Sequence, residues 1–474
     1  MRKSSVLVLA LIATPKTFAM NLQEYLKLVE SKHKTVQALN IQSEAADDRN
    51  EASDINLVPV LTAGASYLSD KSPLGQFATL GVTESKTTSY NLGLSKRFSS
   101  GTNVSVFGQT AEIQNEGIGN PQFLQYGKFG IGNLGVSLSQ SLWKDSFGHA
   151  TRLRWERQEA ATTAEKGGYD LQKRGLLVQA EAAYWNYIYS QDNVKTARGA
   201  LERAKKIETW TRRRVNDGIS DRADLLQGQA LVANRNLLLI AAEDELETAK
   251  QAIRDNLELK VSDPIPDIQG DLGQKRSLNS LIEGPKGRVV LIEAYLASLE
   301  AKARSVVAKE VEDAYRPDLV LSGQYNTNAV EADMPTATAN IADLDRPTAK
   351  IALNLVYIFD TDVKSAAKNA ARKEALAARL QSERKLLDSD SSWSELNRHY
   401  QEMTKRVEAA EQIYKLQTDR AKAQNNLFNM GRSITMNVVD AEQDAATAEL
   451  ALSRLKSEQR KMEATARLYM TVEE

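Results

Sequence analysis

Two stretches of about 70 residues, Ser146 to Asn216 and Thr361 to Asn429, contain no proline and are rich in Ala, Leu, Glu, Lys and Arg. That composition predicts unbroken α-helix, and at 1.5 Å per residue each helix runs about 105 Å. A rod of that length cannot form a core by itself and needs neighbours along all of it, so oligomerisation is expected. Both stretches end alike, in "VNDGISDRADLLQGQALVA" (215–233) and "FNMGRSITMNVVDAEQDAA" (428–446). Gly218 and Gly431 stand where a left-handed residue stops a helix and turns the chain back. Ser220 or Asp221 in the first break and Ser433 in the second are the expected N-caps of the helices that follow.

The breaks belong to a duplication. "NLVPVLTAGASY" (56–67) matches "AYRPDLVLSGQY" (314–325) with proline and tyrosine at one spacing, Pro59 against Pro317. The glycines lie closer together than the prolines, so the first copy carries about 45 extra residues between these landmarks. The second copy runs from Pro317 through a polar loop into "AKIALNLVYIFD" and then helix, which reads as two strands. The first holds "SYNLGLSKRFSSGTNVSVFGQTAEIQ" and "NLGVSLSQSLWKD", which reads as four strands with a tight "SSG" turn. The surplus is one β-hairpin. Residues 20–275 and 276–474 are the two repeats.

The strands alternate. Leu92 and Leu94 oppose Asn91, Gly93 and Ser95; Val104 and Val106 oppose Ser105; Val136 and Leu138 oppose Ser137 and Ser139; Leu319 and Leu321 oppose Val320 and Ser322. One apolar face fits a soluble sandwich or a lipid-facing barrel. Aromatics at the strand ends favour the barrel, with Phe98, Trp143 and Phe359 at one membrane interface and Tyr126 and Phe129 near the other.

Four shorter helices are expected: Leu22 to Ile55, Asp221 to Leu257, Val289 to Tyr315 and Thr435 to Tyr469. Two placed end to end span about the length of one long helix, which implies a tall cylinder of long helices beside stacked short ones. Apolar seams at spacings of three and four support such packing: Leu225 to Ile253 in one helix, Ala448 to Tyr469 in another. Gln459 and Arg235 interrupt these seams; they set register, face an aqueous lumen, or mark splayed helix ends.

The first 19 residues, "MRKSSVLVLALIATPKTFA", combine Arg2 and Lys3 with an apolar run and small residues, the layout of an export signal; an uncleaved anchor is the alternative, for which the apolar run is short. Beyond it "LLLIAA" (237–242) is far too short to span a bilayer as helix, so strands must do any crossing. Lys+Arg 61 balances Asp+Glu 62, which makes nucleic acid an unlikely ligand, and with no cysteine there is no disulfide, thiolate site or lipid anchor.

Catalytic chemistry is hard to place. "GIGNLG" (130–135) fits a dinucleotide fingerprint, but alternating "VSLSQSL" follows it instead of a helix. His33, His149 and His399 lack ligand spacing and read as surface residues, and no nucleophile–base set is legible, so neither an enzyme nor a cofactor is expected. Arg212, Arg213 and Arg214 form a basic run beside the first break, a solvated face or a docking element.

In this order and duplicated, "VPVLTAGASY", "RPDLVLSGQY", "SLSQSLW", "LNLVYIF" and the two glycine breaks resemble the TolC-like outer-membrane efflux proteins over essentially the whole mature length. The resemblance implies an α+β membrane protein: a trimeric outer-membrane β-barrel continued by a long α-helical coiled-coil tunnel in the periplasm. It implies a homotrimer in contact with outer-membrane lipid, a periplasmic adaptor, and an inner-membrane pump of RND, ABC or MFS type. The chain would be the passive exit duct of a tripartite efflux or type I secretion system; a periplasmic coiled-coil spacer is the alternative. The family's paired gate aspartates fall here on Asn437 and Asp440, and its first-repeat aspartate on Asp224. Its usual arginine partner falls on Ser433, with Arg432 one place away, and the tips around Gly218 and Gly431 would dock the adaptor. Asp440 also reads as an ordinary solvated carboxylate. The family's common barrel takes four strands per protomer; the extra hairpin predicts six, hence eighteen, unless it lies outside the wall.

Overall fold

A computed structural model describes residues 20–72, 81–118, 127–274, 276–282, 287–343 and 345–472. The proposed export signal and Tyr126 fall outside the described residues. The described chain forms helices α1 (Leu22–Lys32), α2 (Lys34–Ala52), α3 (His149–Asn216), α4 (Arg222–Asn256), α5 (Ile292–Ala314), α6 (Met334–Ala339), α7 (Thr361–Asn429) and α8 (Thr435–Thr465). Strands are β1 (Val60–Asp70), β2 (Glu84–Arg97), β3 (Thr102–Glu116), β4 (Lys128–Ser141), β5 (Arg288–Leu291), β6 (Asp318–Glu331), β7 (Thr348–Val356) and β8 (Tyr469–Val472). Two compact units result: one of residues up to Ser43, Gly167–Tyr295 and Arg384–Glu474, the other of Glu44–Lys166 and Leu296–Glu383. Each draws on both sequence repeats. Among the described residues no helix is long and apolar enough to cross a membrane.

The second unit is built on one six-stranded antiparallel sheet, ordered β1-β2-β3-β4-β6-β7. The extra hairpin, β2 and β3, is therefore part of the sheet and not an appendage. One register row runs Leu61, Leu94, Val106, Val136, Tyr325, and every one of these is exposed. The opposite face is polar and stitched by hydroxyls and amides. Ser105 and Ser137 hydroxyls meet at 2.6 Å, Ser66 and Ser89 at 2.7 Å, and Asn133 Nδ2 and Asn326 Nδ2 each donate to Asn328 Oδ1 at 2.9 Å. "GIGNLG" lies inside β4. A Cβ on Gly130 would sit 2.2 Å from the Asp333 carbonyl, and one on Gly132 2.7 Å from that of Ala337. These glycines let α6 approach the strand, a packing reason for a pattern that mimics a nucleotide loop.

The sheet turns into helix through strained backbone. Asp145 and Phe147 are left-handed, with φ of 53° and 46°. Asp145 is held there on three sides: its N–H donates to Asp313 Oδ2 (3.0 Å), and its carboxylate accepts from Ala150 N (2.9 Å) and Arg97 Nη2 (2.8 Å). Fixed bonds of this kind are what sustain a conformation that an L-residue ordinarily avoids.

The first unit is helical. An Asn21–Glu24 capping box starts α1, whose Leu22, Tyr25, Leu26 and Val29 form one face. That face packs against Tyr184, Trp185 and Ile188 of α3 and against Ile253, Leu257, Ile268 and Leu272, with Tyr25 and Tyr184 rings 5.5 Å apart. Burial pushes the Tyr184 hydroxyl up to about 12.

Three expected helices are cut shorter than the sequence indicates. The first breaks at His33, which is extended; its ring Nδ1 accepts from Thr35 N at 3.2 Å, and Glu258 Oε1 takes the next N–H, of Lys34, at 3.0 Å. Residues 289–291 are strand, because Val289 and Val290 pair with Thr471 and Met470 in a two-stranded β5–β8 sheet. The last helix consequently ends at Thr465, and Tyr469 opens β8. Gln459 and Arg235 are both buried, so neither splays toward solvent nor lines an open lumen. Gln459 Nε2 donates to Thr404 Oγ1 at 2.9 Å.

Candidate functional site

Both helical breaks close with the same local geometry. Gly218 has φ of 70° and Gly431 of 75°. Gly218 N donates to Val215 O (3.1 Å) and Ile219 N to Arg214 O (2.8 Å); Gly431 N donates to Phe428 O (3.0 Å) and Arg432 N to Leu427 O (2.8 Å). This paired pattern satisfies the last carbonyls of α3 and α7. A Cβ at either glycine would meet nothing within 4 Å, so only the backbone angle excludes other residues. Gly431→Ala is therefore expected to cost about 1 kcal/mol, read as a small drop in Tm with unchanged helix content.

The expected N-cap position holds in the first break and fails in the second. Asp221 takes the N-cap position of α4 without a side-chain bond to the helix. The N-cap of α8 is Ile434, not Ser433, because the Ser433 hydroxyl is drawn to Gln424 Oε1 on α7 at 2.9 Å. Gly431 and Arg432 are exposed, whereas Ser433 is buried.

The two tips pack side by side through Ala204, Ile207, Leu231, Phe428, Val438 and Val439. Above them Arg203 Nε bonds Glu442 Oε2 at 2.7 Å, and Asn425 Nδ2 reaches the other oxygen at 2.5 Å. These groups border a cavity of about 200 Å³ together with Trp210 and Phe428. Arg214 lies over the Phe428 ring, 5.2 Å from its centroid, and Arg212 pairs with Glu208, so two of the three basic residues are locally engaged. Around the turns Ile219, Leu226, Met430, Ile434 and Met436 are exposed.

Asn437 and Asp440 lie one turn apart on the exposed side of α8, opposite buried Val438, Val439 and Ala441. Asp224 sits half-buried in the first turn of α4, where a carboxylate complements the helix N-terminus. Among the described residues none of Asp224, Asp440 and Arg432 forms an ion pair, so the protomer contains no Asp224–Arg432 lock.

The three aromatics gather at one end of the sheet. Phe98 follows β2, Trp143 follows β4 and Phe359 follows β7, and all are exposed, Phe359 by 83%. Lys96 Nζ lies 5.1 Å over Phe98, and Lys364 Nζ 3.7 Å over Tyr357, whose ring meets Phe359 edge-on at 5.2 Å. Aromatics beside lysines are characteristic of a membrane–water boundary. Phe129 departs from expectation. It lies at the far end but is half-buried and shares the polar face with Asn133 and Ser137, since strand parity sends it there.

Sequence reasoning missed a cluster of buried charge in the helical unit. Glu181, fully buried, accepts from Arg467 Nε (2.8 Å) and Arg276 Nη1 (3.2 Å). Nearby Arg460 and Glu463, also buried, pair at 2.8 Å, and the Tyr400 hydroxyl bonds Glu463 Oε1 at 2.9 Å. Burial raises the Glu463 carboxyl above its ordinary value, against the pull of Arg460. Glu463 and Arg460 stand three residues apart, a spacing common on exposed helix faces, and only the residues packed around them bury the pair.

Comparison with known proteins agrees with this architecture. Residues 103–257 match the family model "Outer membrane efflux protein". Toxin and drug export protein A of Aggregatibacter actinomycetemcomitans is 22% identical over 210 residues, a match spanning 44% of each chain. The outer-membrane channel OprN superposes with a TM-score of 0.66 at 18% identity, covering 94% of this chain and 89% of that one. MtrE of Neisseria gonorrhoeae gives 0.64 at 16% (94% and 88%), and VceC of Vibrio cholerae 0.64 at 14% (94% of each). With an apolar-faced sheet and twin helical tips, the chain shares the fold of these outer-membrane channels, and its residues 103–257 resemble the outer membrane efflux protein family.

Proposed function

We propose that the chain is the outer-membrane exit duct of a tripartite efflux or type I secretion system, working as a homotrimer that conducts passively. One observation carries the reading: a six-stranded sheet with an exposed apolar face, a hydrogen-bonded polar face and two open edges, β1 and β7. In lipid an unpaired strand edge leaves every second N–H and C=O without a partner, so the sheet must close on copies of itself. Three copies make eighteen strands, apolar toward lipid and polar toward a water-filled lumen.

The tips form the gate in this reading. Three Asp440 carboxylates around an axis concentrate negative potential in a narrow opening and favour cations, with Asn437 adding an amide ring where a second charge would otherwise stand. Asp224 steadies the neighbouring tip. The exposed Ile219, Met430, Ile434 and Met436 beside Gly218, Gly431 and Arg432 suit docking of an adaptor's helical hairpin, since apolar side chains at a turn fit between two helices. An inner-membrane pump supplies the energy. Single-channel recording of the purified protein in planar bilayers tests both levels. Discrete conductance is expected, cation-selective in wild type and several-fold less so in Asp440→Asn. A protein that gives no channels refutes the duct; channels with unaltered selectivity in the variant remove Asp440 from the gate.

A further inference from the structure

Within the helical unit, α3, α4 and α8 border an open-sided cavity of about 170 Å³ that none of the duct machinery uses. Its walls are mostly small and apolar, with Ala197, Ala200, Ala241, Leu238 and Leu450 among them, and Asn193, Thr196 and Glu245 as polar neighbours. One cation lines it. Arg235 is 8% exposed, and its Nη2 is buried with no hydrogen-bond partner among the described residues.

The acidic groups nearby are already engaged. Glu442 is held by Arg203 at 2.7 Å and by Asn425 at 2.5 Å, and Glu245, which also lines the cavity, accepts from Asn193 Nδ2 at 2.9 Å. Burial, and then the like charge of Arg203, work against the Arg235 cation, with Glu442 opposing them. A buried guanidinium with an idle N–H₂ is costly, and an anion removes that cost best through two parallel hydrogen bonds to its planar fork. The alanine and leucine side of the wall admits a thin hydrocarbon.

We propose that this cavity is a binding site for a small aliphatic monocarboxylate, its carboxylate on Arg235 and its chain along the alanine wall. The proposal is independent of the duct reading, because it concerns a cleft within one protomer.

Calorimetric titration of the purified full-length protein in detergent tests it, with acetate, butanoate and hexanoate as probes and hexylammonium as the oppositely charged control. Each methylene that enters the cavity is expected to tighten binding about fourfold, so hexanoate binds most tightly and hexylammonium not at all. Arg235→Gln is expected to weaken hexanoate about tenfold or more, by removing the charge-assisted fork. Ala241→Leu keeps Arg235 and fills the cavity from its exposed side, so it should weaken hexanoate similarly while leaving Tm unchanged. It also keeps the test decisive should Arg235→Gln fail to fold. Micelle partitioning is common to all three proteins and cancels in the comparison. Absence of saturable heat in wild type overturns the proposal, as does equal hexanoate affinity in wild type and Ala241→Leu. Acetate binding as tightly as hexanoate overturns it too, since the site would then hold a bare anion.

Discussion

Val136→Arg is expected to abolish accumulation of the protein in the outer membrane. Val136 sits mid-row on the apolar face, flanked by Val106 and Tyr325, and is half exposed. An arginine on the lipid face near the bilayer midplane costs about 2–4 kcal/mol, against at most about 1 near the interface. In the proposed trimer the penalty recurs in every copy. Ser137→Arg is the control: the next residue faces the opposite, polar side, where a guanidinium meets water and not hydrocarbon. Membrane fractionation and heat-modifiable mobility on gels read the outcome. Equal insertion of both variants would mean that the apolar face is not the lipid face.

The second large effect lies in the helical unit. Arg460→Ala is expected to destabilise the fold by about 3–5 kcal/mol, because it strands the buried Glu463 carboxylate and frees the Gln274 carbonyl that Arg460 also holds. Removing Arg384, whose pairing with Asp388 is solvent-exposed, is expected to cost under about 1 kcal/mol. The double change Arg460→Met with Glu463→Met should recover most of the loss, since an apolar pair of similar volume needs no compensating charge. The variant also carries a pH signature. Burial already lifts Glu463 above its ordinary value, and without Arg460 it rises further. The folded chain then holds a proton more tightly than the unfolded one, so stability falls as pH rises through that window. Urea titrations at about pH 5 and about pH 8 should show the smaller deficit at the lower pH. A pH-independent deficit would place the damage in lost packing instead.

Much of this protein follows from local rules that sequence states directly. Proline-free runs make α3 and α7, and the glycines after them can turn left-handed without the penalty a Cβ would bring, because that freedom resides in the backbone. Alternation at Leu92–Ser95 and Val136–Ser139 sets which side chains share a face, since strand period is two; the additional hairpin follows from counting residues between repeated landmarks. Tertiary packing decided the rest. Ser433 lost its cap role because Gln424 on the preceding turn of α7 competes for its hydroxyl, and Val289 became strand because Thr471 lies beside it. Gln459, Arg235, Arg460 and Glu463 are helix-forming residues of ordinary appearance, and burial is a property of what packs around a residue, so only the assembled helices turn them into an internal polar network and a buried cation.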